Sequence, residues 1–297
     1  MADSAPERVA APGPTQSPLY HAENAARYER QGQIAAYQRR FGCRLVVVFD
    51  AIFQYSVNVF EDLVYDADPS EDLHVLLTTP GGDGEAALRL LRSMQAHCRE
   101  LSVIVPDMAK SAGTIIALGS HQILMGPSSD LGPVDPQLVA NPQSQELISA
   151  KDVIAAVEEA LASVQANPET YPLQASLLSN LNAIMLQQAR SALARTEDLV
   201  IEALSSSPAR SKEEAQALWA RSLKQRLMVD PRSHAANFGP DAALEAGLPV
   251  VRPDPGGEQW AMIWRLWSKY FVLGARIYEG AIASKVVGPW VQPAPSQ

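Results

Sequence analysis

Cysteine is almost absent from this chain. Cys43 and Cys98 are the only two, they form no CxxC pair, and no histidine stands at ligand spacing from them. No metal site or cofactor is therefore expected, and a reducing compartment, the cytoplasm, fits best. Basic charge is also scarce: 24 Lys and Arg stand against 33 Asp and Glu, a formal net charge of -9. An affinity built on neutralising phosphates needs a basic surface, so nucleic acid is not an expected partner. Long apolar runs are missing as well. A spanning helix needs roughly 18 apolar residues, and the most hydrophobic stretch, near 260 to 273, is broken by Arg265 and Lys269. No stable membrane span is expected. The opening residues, "MADSAPERVAAPGPTQSP", lack a signal-peptide core and read as a flexible tail.

What the chain does have is apolar content, 47% over 297 residues, enough for a sizeable core. "HAENAARYERQGQIAAYQRRFG" has helical periodicity and stops at Gly42, a glycine C-cap. Short runs rich in β-branched residues follow at 44–50, 73–79 and 101–105, with helical segments at 57–65 and 84–97 between them and a fourth run at 122–126. That alternation predicts a mostly parallel sheet with helices on both faces, an α/β fold. Beyond 148 the stretches 149–165, 172–204 and 211–228 are rich in Ala, Leu, Gln and Glu and predict long helices. Residues 239–251 read as a short helix and an edge strand, and a last helix is expected from about 258 to 286.

Two loops at the carboxyl ends of the predicted strands carry chemistry. In "TTPGGDGEA", Gly81 and Gly82 allow backbone conformations closed to other residues and leave their N–H groups unobstructed, and Asp83 can cap the next helix. Such a turn suits an oxyanion, or is a bare structural turn. In "AKSAGT", Ser111 reads either as a helix N-cap or as a nucleophile: Ala112 and Gly113 put no bulk beside an incoming carbonyl, and the N–H of Ala112 faces developing negative charge.

"PGGDGEAALRLLRSM" followed by "VIVPDMAKSAGTIIALGSHQILMGPSSDLGPVDPQL" resembles the serine dehydrogenase proteinase family, a branch of the Clp and crotonase fold related to signal peptide peptidase A. The similarity extends from "LYHAENAARYERQ" to "HAANFGPDAALEAGLPV", and "KSAGT" with "LGPVDPQ" is its most specific part. The resemblance implies a peptidase with a Clp/crotonase-like core, Ser111 as nucleophile, and an oxyanion hole at Gly81, Gly82 and Ala112. It implies a peptide or protein substrate and a homo-oligomer.

The base is the open question. The Clp proteolytic subunit takes a histidine from the segment after the nucleophile helix, and "DLGPVDPQL" has none. His121 ends that helix and reads as structural. Signal peptide peptidases use a lysine at the start of a later helix, and Lys151, one of six lysines, stands 40 residues after Ser111. A Ser111–Lys151 dyad is the leading expectation. Lys151 must then be neutral, which burial favours. His234 in "DPRSHAANFG" is the alternative base, or else a polar histidine capping a short helix; Lys110 reads as an ion pair or rim contact; Asp135 reads as lining the substrate groove or holding the loop between its two prolines. Three organisational units are expected: the tail 1–18, a peptidase domain 19–252 with a helical insertion about 149–228, and a C-terminal helix and tail 253–297. Trp260, Trp264, Trp267 and Phe271 share one helical face, expected to pack on the domain or on a neighbouring subunit. A silent scaffold of the same fold and a crotonase-type acyl-CoA enzyme are the competing functions; a CoA site wants grouped basic residues that the sequence does not supply.

Overall fold

The computed structural model describes residues 16–141, 146–207, 210–231, 234 and 236–290. Helix α1 (Pro18–Phe41) starts where Ser17 accepts from the Tyr20 N–H and ends at Gly42, whose φ of 62° closes the turn as its residue type predicts. Then come β1 (Cys43–Phe49), α2 (Gln54–Val64), β2 (Asp72–Thr78), α3 (Gly84–Ala96), β3 (Leu101–Val105), β4 (Met108–Ala109), α4 (Ala112–Leu118), β5 (Gln122–Met125) and β6 (Asp130–Leu131). A hairpin, β7 (Gln137–Asn141) and β8 (Glu146–Ser149), leads to α5 (Ala150–Ala166), α6 (Tyr171–Leu177), α7 (Ala183–Ser206) and α8 (Lys212–Leu218). Two π turns follow, over Trp219–Leu223 and Gln225–Val229. The chain closes with α9 (Pro240–Glu245), β9 (Val250–Val251), α10 (Glu258–Leu273), β10 (Ala275–Glu279) and β11 (Ser284–Pro289).

Seven strands form the main sheet in the order β11-β10-β1-β2-β3-β5-β9. The neighbours from β1 to β9 pair parallel, and β10 and β11 join antiparallel at one edge. Each central strand is apolar on both sides because both faces are covered. Alternate residues such as Val46, Val48, Val75 and Val103 enter one core beneath α2, α3, α4 and α7. Leu45, Val47, Leu76 and Ile104 enter the other, covered by α1 and α10. The α/β fold with a mostly parallel sheet and a helix-rich later half is thus the observed one.

The expected helix over 258–286 is corrected. It stops at Leu273 because Gly274 takes φ 59° and its N–H returns to the Tyr270 carbonyl. The chain then turns into β10 and β11, so residues 258–289 form a helix plus a sheet-completing hairpin. Burial of Glu279 fixes that hairpin. Arg30 reaches it with Nε at 2.7 Å and a terminal nitrogen at 3.2 Å, and the Tyr270 hydroxyl donates at 2.5 Å. The aromatic stripe is only partly packed: Trp260 is buried, whereas Trp264 and Phe271 are 42% and 58% exposed. The "LGPVDPQL" region, expected as a loop, opens the β7–β8 hairpin. Most of the expected tail lies outside the described residues.

Candidate active site

Parallel strands end together, so the segments after β1, β2, β4 and β6 meet at one edge. Backbone bonds tie them: the Thr79 N–H donates to Met108 O at 3.0 Å, and the Lys110 N–H returns to Thr79 O at 3.0 Å. Gly113 is small for this reason. A β-carbon there would collide with the Thr79 methyl, so its missing side chain lets the start of α4 pack against the segment after β2.

Ser111 occupies the N-cap position of α4, yet its hydroxyl makes no cap bond. Its φ of 49° and ψ of -110° make it the one non-glycine with positive φ among the described residues. Backbone strain of this kind costs about 1–3 kcal/mol and persists only where the surroundings enforce it. A serine on a sharp strand-to-helix turn presents its Oγ outward, the geometry of a nucleophile elbow. The Ser111 hydroxyl is thus not spent on a cap bond.

The glycine turn lies directly against this serine. A β-carbon at Gly81, whose φ is 112°, would sit 2.7 Å from Ser111 Cβ and 3.5 Å from its Oγ. Of the two glycine N–H groups, that of Gly81 is used, donating to Thr79 Oγ1 at 3.1 Å. The N–H groups of Gly82 and Ala112 find no acceptor among the described residues. Gly81 accepts from the Ile52 N–H at 2.8 Å. In a trans peptide the next N–H points opposite to that carbonyl, so the Gly82 N–H faces away from β1's extension. The sheet order β1, β2, β3 puts the Ser111 loop on that side.

The lysine beside Ser111 is committed to other partners. Lys110 is buried, and its ammonium donates to Asp130 Oδ2, to Leu131 O at 3.4 Å and to Ala236 O at 3.1 Å. All three of its donors are used. Asp130 in turn accepts from the Phe238 N–H at 2.6 Å, so Lys110 and Asp130 together draw residues 236–238 against the Ser111 loop.

Two residues before that contact stands His234. Its Nδ1 lies 2.9 Å from Asp135 Oδ1, and Gln137 Nε2 approaches the same nitrogen at 3.3 Å. A proton on Nδ1, donated to the carboxylate, leaves Nε2 as the acceptor, a tautomer assigned from these contacts. Asp135 is 1% exposed. Its other oxygen accepts from Ser149 Oγ at 2.7 Å and Gln137 Nε2 at 3.0 Å. Burial pushes this carboxyl up, but hydrogen bonds from His234 and Ser149 and the charges of His234 and Lys151 outweigh it and hold the group below its usual range. Lys151, in the first turn of α5, donates to the Pro231 carbonyl. Asp135, His234, Ser149 and Lys151 therefore form one polar cluster that joins chain segments about a hundred positions apart. His121 accepts from the Leu101 N–H at 3.0 Å, at the opposite ends of the strands. Among the described residues no group of three or more His, Cys, Asp or Glu could hold a metal.

Residues 62–167 match the model of the ClpP-like SDH-type serine proteinases. Over those residues the chain is similar to that family. The segment contains Gly82, Ser111, Ala112, Asp135 and Lys151, whereas His234 lies outside it. An uncharacterized protein of Methanocaldococcus jannaschii is 39% identical over 93 residues, 31% of this chain and 30% of that protein. A membrane-bound protease of Pyrococcus horikoshii is 35% identical over 92 residues, 29% of this chain and 21% of that protein. The chain thus spans less than a third of either relative. A solved structure of a membrane-bound stomatin-specific protease, in a serine-to-alanine variant, overlaps 70% of this chain and 78% of its own at 20% identity and a TM-score of 0.42. No helix among the described residues is long and apolar enough to cross a membrane.

Proposed function

We propose that the protein is a serine peptidase cleaving peptide bonds in peptides or proteins. Ser111 Oγ attacks the scissile carbonyl carbon as its proton passes to a base. The carbonyl oxygen, now negative, is held by the N–H groups of Gly82 and Ala112. Collapse of the tetrahedral adduct expels the amine, which takes the proton, and water then hydrolyses the Ser111 acyl ester by the same route. The observation that carries this reading is Ser111 at positive φ, its hydroxyl making no cap bond, beside two N–H groups that find no acceptor among the described residues.

His234 is the base this reading favours, because Asp135 holds its Nδ1 and so fixes Nε2 as the acceptor. Lys151 is the second reading, supported by its place in the same cluster and by the dyad resemblance. Lys110 is set aside, since its ammonium is consumed by three acceptors. Gly81 acts as the turn that brings the backbone against Ser111, not as an oxyanion donor. A cytoplasmic homo-oligomer belongs to the same proposal; exposed Trp264, Phe271 and Val272 on α10 offer apolar surface for a subunit contact. Hydrolysis of an unfolded protein substrate tests the function: wild type should cleave it, and Ser111→Ala should lose at least about 10⁴-fold while keeping its thermal midpoint. Undiminished cleavage by Ser111→Ala would remove Ser111 as the nucleophile, whereas no cleavage by wild type would leave the scaffold or the acyl-CoA reading in its place.

A further inference from the structure

The oxyanion turn is held by a residue that the proposed chemistry does not itself use. Ile52, just past the end of β1, grips the glycine turn from both sides: its N–H donates to Gly81 O and its carbonyl accepts from the Asp83 N–H, each at 2.8 Å. Both peptide planes around Gly82 are thereby fixed. Contact is so close that a β-carbon on Gly82 would run into the Ile52 carbonyl oxygen. The direction of the Gly82 N–H is thus inherited from the backbone at 51–52.

That backbone is anchored from beneath by Asp50. Its carboxyl is 0% exposed, an uncommon state for an aspartate. Oδ1 accepts from the Ala51 N–H at 2.8 Å and faces an Arg276 nitrogen at 3.6 Å; Oδ2 accepts from the Tyr55 hydroxyl at 2.5 Å. Arg276 comes from β10, Tyr55 from α2, and Asp50 from β1's end, so three elements converge on one carboxyl. Next to it the Tyr278 hydroxyl donates to Ser56 Oγ at 2.7 Å. A buried charge of this kind is a poor way to gain stability, because desolvation offsets most of the attraction. Burial indeed pushes the Asp50 carboxyl up, against the hydrogen bonds of Tyr55 and Ala51 and the Arg276 charge. A group that adds little stability yet fixes a functional loop is a positioning device.

We propose that Asp50 is a positioning residue for the oxyanion turn: by pinning Ala51 and meeting Tyr55 and Arg276 it holds Ile52 against Gly81 and Asp83 and so aims the Gly82 N–H at the reacting carbonyl. This rests on the peptidase reading above. An oxyanion donor acts in the transition state more than in the ground state, so its misaiming lowers kcat and spares KM.

The test is steady-state cleavage of a peptide substrate by wild type, Asp50→Asn and Tyr55→Phe, with thermal midpoints measured alongside. Asn keeps the size but has one acceptor oxygen for donors that now occupy two. Asp50→Asn should lose about tenfold or more in kcat with KM within threefold, and its midpoint should hold or rise, since a costly buried charge is gone. Tyr55→Phe, which removes one donor at a half-buried site, should lose kcat in the same direction by a smaller factor. If wild type cleaves and Asp50→Asn retains kcat within twofold, the positioning role is overturned. It is equally overturned if both variants lose kcat only in step with a falling midpoint or a rising KM. A wild type that does not cleave at all, and whose Ser111 takes up no serine-directed probe, overturns the peptidase reading instead.

Discussion

The Ser111 side and the His234 side of the candidate site are held together by different kinds of bond. Around Ser111 the fixing contacts are backbone to backbone: Ile52 with Gly81 and Asp83, Thr79 with Met108 and Lys110. Around His234 they are side-chain contacts, from Asp135, Ser149 and Gln137, between a hairpin, a helix start and a segment some hundred positions away. Backbone contacts depend on local conformation and tolerate few residue types at a given position. Side-chain clusters depend on tertiary assembly, and one member can be exchanged for another. The first half should be brittle to any substitution that adds a β-carbon; the second should respond to chemistry and pH.

The sharpest way to break this contrast is to remove the bases. His234→Ala should lose about 10²–10⁴ in kcat, the usual worth of a general base, while Lys151→Arg, which keeps a cation beside Asp135, should retain most of its rate. The reverse pattern, measured on the same peptide, would move the role to Lys151 and restore the dyad. Next comes the turn. Gly82→Val must fit a β-branched residue at φ 140° against the Ile52 carbonyl, and losing one oxyanion donor should lower kcat by about 10²–10³ with substrate affinity changed far less. Normal turnover with weakened binding would mean that the turn holds substrate and not charge.

The smallest effect concerns acid stability. Asp135 is held below its ordinary range in the folded protein, so it contributes stability that is fully present above the unfolded value of about 4 and is lost as pH falls through the lowered folded value. His234→Ala removes the first-named of the contacts that lower it. At pH 7 the thermal midpoint of His234→Ala should therefore lie below that of wild type, and the gap should narrow as pH falls below about 4, because the variant has less of this stability to lose. A gap that does not change with pH would show that the pair does not act on Asp135.

These differences decide what could be read from residues alone. "PGGDG" announces a tight turn because glycine at positive φ leaves a mark in sequence, "KSAGT" announces a small-flanked serine, and β-branched runs mark the parallel strands. Gly113 was legible as small but not as the partner of Thr79, a contact between two βα units. The end of α10 was missed although Gly274 stood there, because the apolar character of "ARIYEG" suits either a helix or a strand until Glu279 finds Arg30. The pairing of Asp135 with His234 left no local signal. Asp50 did leave one, an aspartate closing the apolar run "RLVVVFD", but only the Ile52 contact gives it meaning.

One measurement addresses the central claim most directly: reaction with a fluorophosphonate probe, followed by mass mapping of the modified peptide. The account predicts one adduct per chain, located on Ser111, absent in Ser111→Ala and slowed in Gly82→Val. Stoichiometric modification of another residue, or no modification of a folded wild-type protein that still cleaves peptides, would contradict it.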